Sequence, residues 1–436
     1  MKTNERLGQG TSRRNFGALV GGAAASALMS GCALPGAGSA NMGKVVVIGG
    51  GYGGATAAKF LRMWSDNRVE VTLVEPNKSF VSCPISNLVV SGVKQIGDIT
   101  VPYDNLSRRH GVKMVHDTVT AIDPAKKTVT LAGGTTLPYD RLVVSPGVDL
   151  MWSSVQGLQA ASQEGRILQA WKAGAETVAL RKQLEAMPDG GVFAITIPEA
   201  PYRCPPGPYE RASVVAGYFK QAKPKSKVLI LDANADVVSK AGLFKKVWAE
   251  QYKGIVEYRP QHKTVGVDAK ANAAKFEVND DVKADVLNVL PSMRAGTIAQ
   301  QAGLANLNAR GCEVDYMSFE SKVHPGIHVI GDSIQIAPLM PKSGHMANQH
   351  AKVAAAAIIE MLAGRAPNAK PVVMNTCYSF VDAKNVIHVA SVHQYDAEKK
   401  TLLTVPGSGG VSAAPSELEG AYALAWADNI WADMLA

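Results

Sequence analysis

Between Lys44 and Glu75 the chain spells out a strand, a glycine turn, a helix and a second strand. The β-branched run Val45 to Ile48 leads into glycines at Gly49, Gly51 and Gly54, and an alanine-rich segment follows. A second β-rich run over 69–74 ends at Glu75. Gly49 permits the tight turn, Gly51 lets the backbone approach a pyrophosphate, and Gly54 lets helix and strand pack closely. Free N–H groups and the dipole at the helix start favour phosphate. Glu75 falls where such a unit places a carboxylate for a ribose hydroxyl. Three glycines alone are a weak signal, but this ordered pattern predicts a dinucleotide-binding α/β unit.

Two later stretches return to the same nucleotide. Residues 139–147 read as a strand closed by Ser145, Pro146 and Gly147, a glycine turn that fits a second contact. Residues 326–332 read as a strand ending in Gly331 and Asp332, with Asp332 placed to accept from a ribityl hydroxyl. The helix start after Ser343 and Gly344 can aim N–H groups at an electron-rich ring. Cys83 lies in a loop off the second strand, where ligands of such sheets sit. The residues alone leave it either beside the nucleotide or as a spectator thiol.

A second α/β unit is expected from about residue 177, with a helix over 178–187, a buried strand over 190–197 and another over 227–232. A second glycine fingerprint would belong between these strands. The chain instead has Pro198, Pro201, Cys204, Pro205, Pro206 and Pro208. Proline offers no backbone N–H, so this loop suits a topology that has lost its nicotinamide cofactor. Residues 371–436 form a third region, with strands near Cys377 and over 386–392. It ends in an amphipathic helix over 417–436 containing Trp426 and Trp431, which could serve a partner surface or its own core.

Residues 1–40 read as an export signal. Ser12, Arg13, Arg14, Asn15 and Phe16 form a twin-arginine pattern ahead of a short apolar stretch. The expected location is the periplasm, with a lipidated Cys32 as the minority alternative. The net charge is +8, of which +3 lies in residues 1–40, leaving a mildly basic +5 without like-charge runs. That pattern argues against nucleic-acid binding. No later segment is apolar enough over sufficient length to span a bilayer. The remaining cysteines, Cys83, Cys204, Cys312 and Cys377, are too few to staple a chain of this size. Their individual chemistry therefore matters more.

Taken together, the glycine fingerprint, the Ser145–Gly147 turn and the Gly331–Asp332 strand end resemble the glutathione reductase-like flavoproteins with two dinucleotide-binding domains. The stretches 83–87, 200–213, 341–344 and 375–379 resemble more closely the flavoprotein subunit of flavocytochrome c sulfide dehydrogenase. The resemblance implies an α/β fold of two Rossmann-like domains and a C-terminal α+β interface domain. An FAD domain would comprise 41–150 and 285–370, a degenerate NAD-like domain 151–284, and the interface domain 371–436. It implies FAD contacts at Gly49, Gly51, Gly54, Glu75, Gly147, Gly331 and Asp332, covalent attachment through Cys83, and neither NAD(P) nor a metal site. Pro84 departs from the bulkier aromatic expected after the attachment cysteine.

The resemblance also places Cys204 and Cys377 on a redox-active disulfide. Sulfide anion would attack Cys204 and leave a persulfide, and Cys377 would pass electrons to the flavin. A c-type cytochrome subunit is the implied partner, since the chain has no Cys-x-x-Cys-His haem motif of its own. Arg203 or Lys342 is a candidate for attracting the anion, and Cys312 reads as a buried small hydrophobe. The rival readings are a sulfide:quinone oxidoreductase, a nicotinamide-driven thiol-disulfide reductase, and a flavin-bearing binding protein stapled by Cys204–Cys377.

Overall fold

The computed structural model describes residues 41–436. The twin-arginine pattern and Cys32 lie outside the described residues. The strand Gly43–Ile48 sits inside a seven-stranded sheet and pairs in parallel with Val69–Val74 on one side and Arg141–Val144 on the other. Lys113–Val115 and Ile327–Val329 extend the parallel array outward. Two short antiparallel strands, Val314–Asp315 and Glu320–Ser321, close one edge. Strands covered on both faces need continuous apolar runs, and Val45, Val46 and Val47 are all buried. The helix Tyr52–Trp64 packs against this sheet and against the helix Gly344–Leu362.

A second, four-stranded parallel sheet runs Val256–Arg259, Lys227–Asp232, Val192–Ile197, Val286–Val289. The helix before it spans Ala175–Ala186, starting three residues earlier than the expected 178. Gly174 lies just outside, and Thr177 Oγ1 accepts its N–H at 3.1 Å, so the extra turn is fixed at its start. After Val192–Ile197 the proline-rich loop leads into the helix Gly207–Ala222. Beyond Glu75 the expected simple loop contains a strand, Ser79–Val81, paired with Thr100–Pro102.

The third region is an antiparallel sheet of Val372–Phe380, Val386–Asp396 and Thr401–Thr404, followed by the helix Glu417–Leu435. The two tryptophans of that helix do not form an outward face. Trp431 is buried and donates its indole N–H to Tyr52 Oη at 3.1 Å. Trp426 is half-buried beside His345 and Tyr378. Leu418, Tyr422 and Leu424 are the large apolar side chains that face outward, the first two 61% and 51% exposed. The same helix is tied to three distant segments. Lys59 Nζ donates to the Ala432 carbonyl at 3.0 Å, His110 Nε2 meets the Ala436 carbonyl at 2.9 Å, and Asn348 donates to Asp433 at 2.7 Å. Among the described residues no helix is long and apolar enough to cross a membrane.

Candidate active site

A cavity of about 530 Å³ opens at the carboxyl ends of the first sheet's strands. Gly49, Gly51, Glu75, Cys83, Gly147, Cys204, Gly331, Asp332 and Cys377 all line it. Gly54 stands behind the wall instead. A Cβ on Gly54 would lie 1.8 Å from the Gly49 carbonyl oxygen, so strand and helix touch only because that atom is missing. A Cβ on Gly51 would meet nothing within 4 Å, which leaves its backbone bare to the cavity. Glu75 is held in place by its own turn. One carboxylate oxygen accepts the Gly50 N–H at 2.8 Å and the other accepts from Asn77 at 2.6 and 2.9 Å.

Asp332 follows Gly331, whose φ of +74° suits glycine. Its Oδ1 is buried without a hydrogen-bond partner. A buried acceptor left unmatched costs free energy, so this atom is aimed at something the cavity takes in. Burial pushes the Asp332 carboxyl up, with Arg203 and Lys342 opposing.

The two candidate redox cysteines come from different sheets. Cys204 sits in the proline-rich loop with φ +58°, its N–H donating to the Lys342 carbonyl at 2.8 Å. Cys377 lies on the strand Val372–Phe380, and Asn375 Nδ2 donates to its sulfur at 3.3 Å. All four cysteines of the described residues are free thiols in this structure. Burial pushes the Cys204 thiol up, Cys377 and Glu210 add to that, and Arg203 and Lys240 oppose it. Burial raises Cys377 as well, with Glu210 adding and Lys240, Asn375 and Ser343 pulling it back. The two sulfurs thus share Lys240 and Glu210 but differ in their remaining neighbours.

Of the two candidate anion-attracting cations, Arg203 lies beside Cys83 and Cys204 and donates to the Trp171 carbonyl. Burial opposes its charge, but Cys83, Asp332 and Cys204 outweigh it and hold the guanidinium firmly protonated. Lys342 instead donates to the carbonyls of Asp332 and Ile334, both at 2.7 Å. The side chains that sequence reasoning missed are Glu210, Arg211, Lys240 and Trp171. Arg211 is almost fully buried and donates to Asn87, Asn288 and the carbonyls of Gln169 and Ala170. It thereby fixes the segment carrying Trp171 against the cavity.

Three family patterns tile these residues. Residues 43–182 match the pyridine nucleotide-disulphide oxidoreductases. Residues 177–291 match the central part of the sulfide dehydrogenase (flavocytochrome c) flavoprotein chain. Residues 369–435 match the flavin-binding part of flavocytochrome c sulphide dehydrogenase. A 46-residue stretch is 59% identical to the sulfide dehydrogenase (flavocytochrome c) flavoprotein chain of Chlorobaculum thiosulfatiphilum, covering 94% of that sequence and 11% of this chain. This chain belongs to the flavoprotein family of flavocytochrome c sulfide dehydrogenase.

That family comprises FAD-dependent, sulfide-oxidising oxidoreductases. The mitochondrial sulfide:quinone oxidoreductase of Dictyostelium discoideum is 25% identical over 304 residues, 67% of this chain and 66% of that protein. The sulfide:quinone oxidoreductase structure from Aquifex aeolicus superposes with a TM-score of 0.72, covering 90% of this chain and 91% of that one. At 19% identity that is a likeness of fold, α/β with parallel sheets. The cavity fits the family's FAD on its own terms. Gly51 would leave room for the pyrophosphate, and Asp332 Oδ1 would offer the ribityl chain an acceptor. The helix Gly344–Leu362, capped by Ser343, starts at the cavity wall.

Proposed function

We propose that this chain oxidises hydrogen sulfide through a Cys204–Cys377 couple beside FAD and passes the electrons to a c-type cytochrome partner. The observation that carries the reading is the meeting of these two cysteines, from separate segments, in the wall of the FAD cavity. Gly49, Gly51, Glu75, Gly147, Gly331 and Asp332 would hold the cofactor, and Cys83 lines the same wall as the candidate attachment point. FAD bound there supplies a two-electron acceptor that can release electrons singly.

With the two cysteines joined, Arg203 draws HS⁻ inward. The anion attacks Cys204 Sγ, forming a sulfide–Cys204 bond as the Cys204–Cys377 bond breaks. Cys204 then carries a persulfide, Cys377 leaves as thiolate, and no proton is released. A better-stabilised thiolate is the better leaving group. In support of this direction of attack, Lys240, Asn375 and Ser343 ease negative charge onto Cys377, while Cys204 has Arg203 and Lys240. Ser343 also caps the helix that starts at the cavity wall, which supports Cys377 as the flavin-side sulfur.

Three further parts belong to this proposal. The second sheet takes no nicotinamide cofactor. In support, Asp232, at the end of Lys227–Asp232, is fully buried. It accepts from Tyr209 Oη at 2.7 Å and Tyr258 Oη at 3.1 Å, so the carboxylate that would meet a ribose is already engaged. Covalent attachment of FAD through Cys83 and export by the twin-arginine segment complete the reading.

An anaerobic sulfide titration of the FAD-loaded protein tests it. Bleaching of the flavin bands at low sulfide is expected. Flavin that dithionite reduces but sulfide does not would refute the reading. The likeness to sulfide:quinone oxidoreductases favours a second reading in which quinone takes the electrons. Turnover with a c-type cytochrome but not with decylubiquinone decides for the first, and the reverse for the second.

A further inference from the structure

Lys240 has no part in the cofactor cradle, yet the fold commits it to the sulfur pair. It caps the helix Ala241–Glu250 in the left-handed region, with φ 55°. Non-glycine residues seldom adopt that conformation without a local cause. Only 8% of the residue is exposed. Its ammonium donates to the Cys377 carbonyl at 3.0 Å, Ser379 Oγ at 2.7 Å and the Ile387 carbonyl at 3.3 Å. Its backbone stance therefore sends the charge across to the strand that bears Cys377. Several groups face it: Cys377 and Ser379 on that strand, Glu210 on the helix Gly207–Ala222, Cys204 in the proline-rich loop, and Glu419 on the C-terminal helix. Glu419 is itself paired with His388 at 3.0 Å. On its own helix, the Phe244 ring lies 5.8 Å away.

A lysine buried for structure alone would be costly, since desolvation disfavours the ammonium. Burial does lower it, to about 8, while Cys377, Glu210 and Cys204 work to keep it charged. Conversely, Lys240 heads the groups that ease negative charge onto Cys377, whereas at Cys204 it comes behind Arg203.

We propose that Lys240 is the resident counter-ion of the Cys377 thiolate, an electrostatic positioning residue that makes Cys377 rather than Cys204 the leaving sulfur. This deepens the sulfide reading and rests on it for its place in turnover. The attack brings one negative charge into the cavity on HS⁻ and leaves that charge on Cys377, the residue whose own carbonyl already holds the ammonium. No proton needs to move, so the step is not limited by exchange with bulk water.

The test is the pH dependence of iodoacetamide labelling of Cys377 in dithiothreitol-reduced holoenzyme, read by peptide mass spectrometry. Loss of an adjacent opposite charge raises a thiol's pKa by roughly one to three units. Lys240→Met should move the labelling midpoint up by that amount, and Lys240→Arg should restore it to within about half a unit. Lys240→Gln keeps a donor for Ser379 and should shift the midpoint as Lys240→Met does, which guards against a folding loss in the apolar variant. A midpoint unmoved in both Lys240→Met and Lys240→Gln, even with a lower melting temperature, would assign the lysine to structure and overturn the proposal. A shift in Lys240→Arg as large as in Lys240→Met would overturn it too. The labelling uses no sulfide, so its result is independent of whether sulfide bleaches the wild-type flavin.

Discussion

Replacing Glu210 by glutamine should make the protein more stable at pH 8 and leave it nearly unchanged at pH 5. Glu210 lies in the first turn of Gly207–Ala222, fully enclosed, and accepts the Phe380 N–H at 3.1 Å. Burial drives its carboxyl from 4.5 to about 7, against the pull of the Phe380 N–H, Lys240, Asn87 and Arg211. The folded state thus holds the Glu210 proton more tightly than the unfolded chain does. Between pH 4.5 and about 7 the folded protein binds more protons, so unfolding free energy falls as pH rises through that window. Above pH 7 the full cost of the buried charge is present. A displacement of about 2.5 pH units at 1.36 kcal/mol each gives about 3 kcal/mol.

Glutamine keeps an acceptor for Phe380 and cannot ionise, so it stays on the pH 5 side of this balance at every pH. Urea unfolding followed by far-UV circular dichroism at pH 5 and pH 8 measures the difference. The reasoning fails if the two proteins differ by the same amount at both pH values. It also fails if Glu210→Gln is the weaker protein at pH 8, which would mean that Lys240 and Arg211 more than offset burial of the carboxylate.

Other substitutions separate cofactor binding from chemistry. Cys83→Ser should let acid precipitation release the flavin into the supernatant, whereas the wild-type flavin stays with the pellet. In that same background, Asp332→Ala removes a charged acceptor worth roughly 1.5–3 kcal/mol. Flavin affinity should drop about 10- to 100-fold, seen as a lower 450 nm to 280 nm absorbance ratio after gel filtration. Gly54→Ala drives a methyl into the Gly49 carbonyl and should give flavin-free protein, destabilised by about 1–3 kcal/mol. Cys377→Ser should abolish bleaching by sulfide while leaving the melting temperature within about 2 °C of wild type. A large melting loss with bleaching retained would mark the pair as a staple worth roughly 2–4 kcal/mol.

The first sheet was legible because its signals are local. Val45 to Ile48, the three glycines and Glu75 each declare a backbone need within a few residues. The strands Val192–Ile197 and Lys227–Asp232 announce themselves by unbroken apolar runs, as strands buried on both faces must. The charged wall of the cavity carried no such mark. Glu210, Arg211 and Lys240 read in sequence like any surface charges, and only the crossing of three separate segments shows that they are enclosed. Spacing did not pair Cys204 with Cys377 either; family resemblance suggested it. Trp426 and Trp431 left two readings open, a partner surface or the helix's own core, and Trp431 takes the second. The final helix carries apolar residues around much of its circumference, so periodicity could not say which side meets the core. Lys342 adjoins the right helix start, but the carbonyls of Asp332 and Ile334 claim its ammonium.

The tether between the helices Glu417–Leu435 and Tyr52–Trp64 has a consequence for the cavity wall. Tyr52, in the wall of the nucleotide cavity, is braced from behind by Trp431, and Lys59, about two turns further along, is held by Ala432. One wall of the cavity is thus propped by a side chain 379 residues further along the chain, and Trp431→Ala would be felt there although Trp431 does not itself line the cavity.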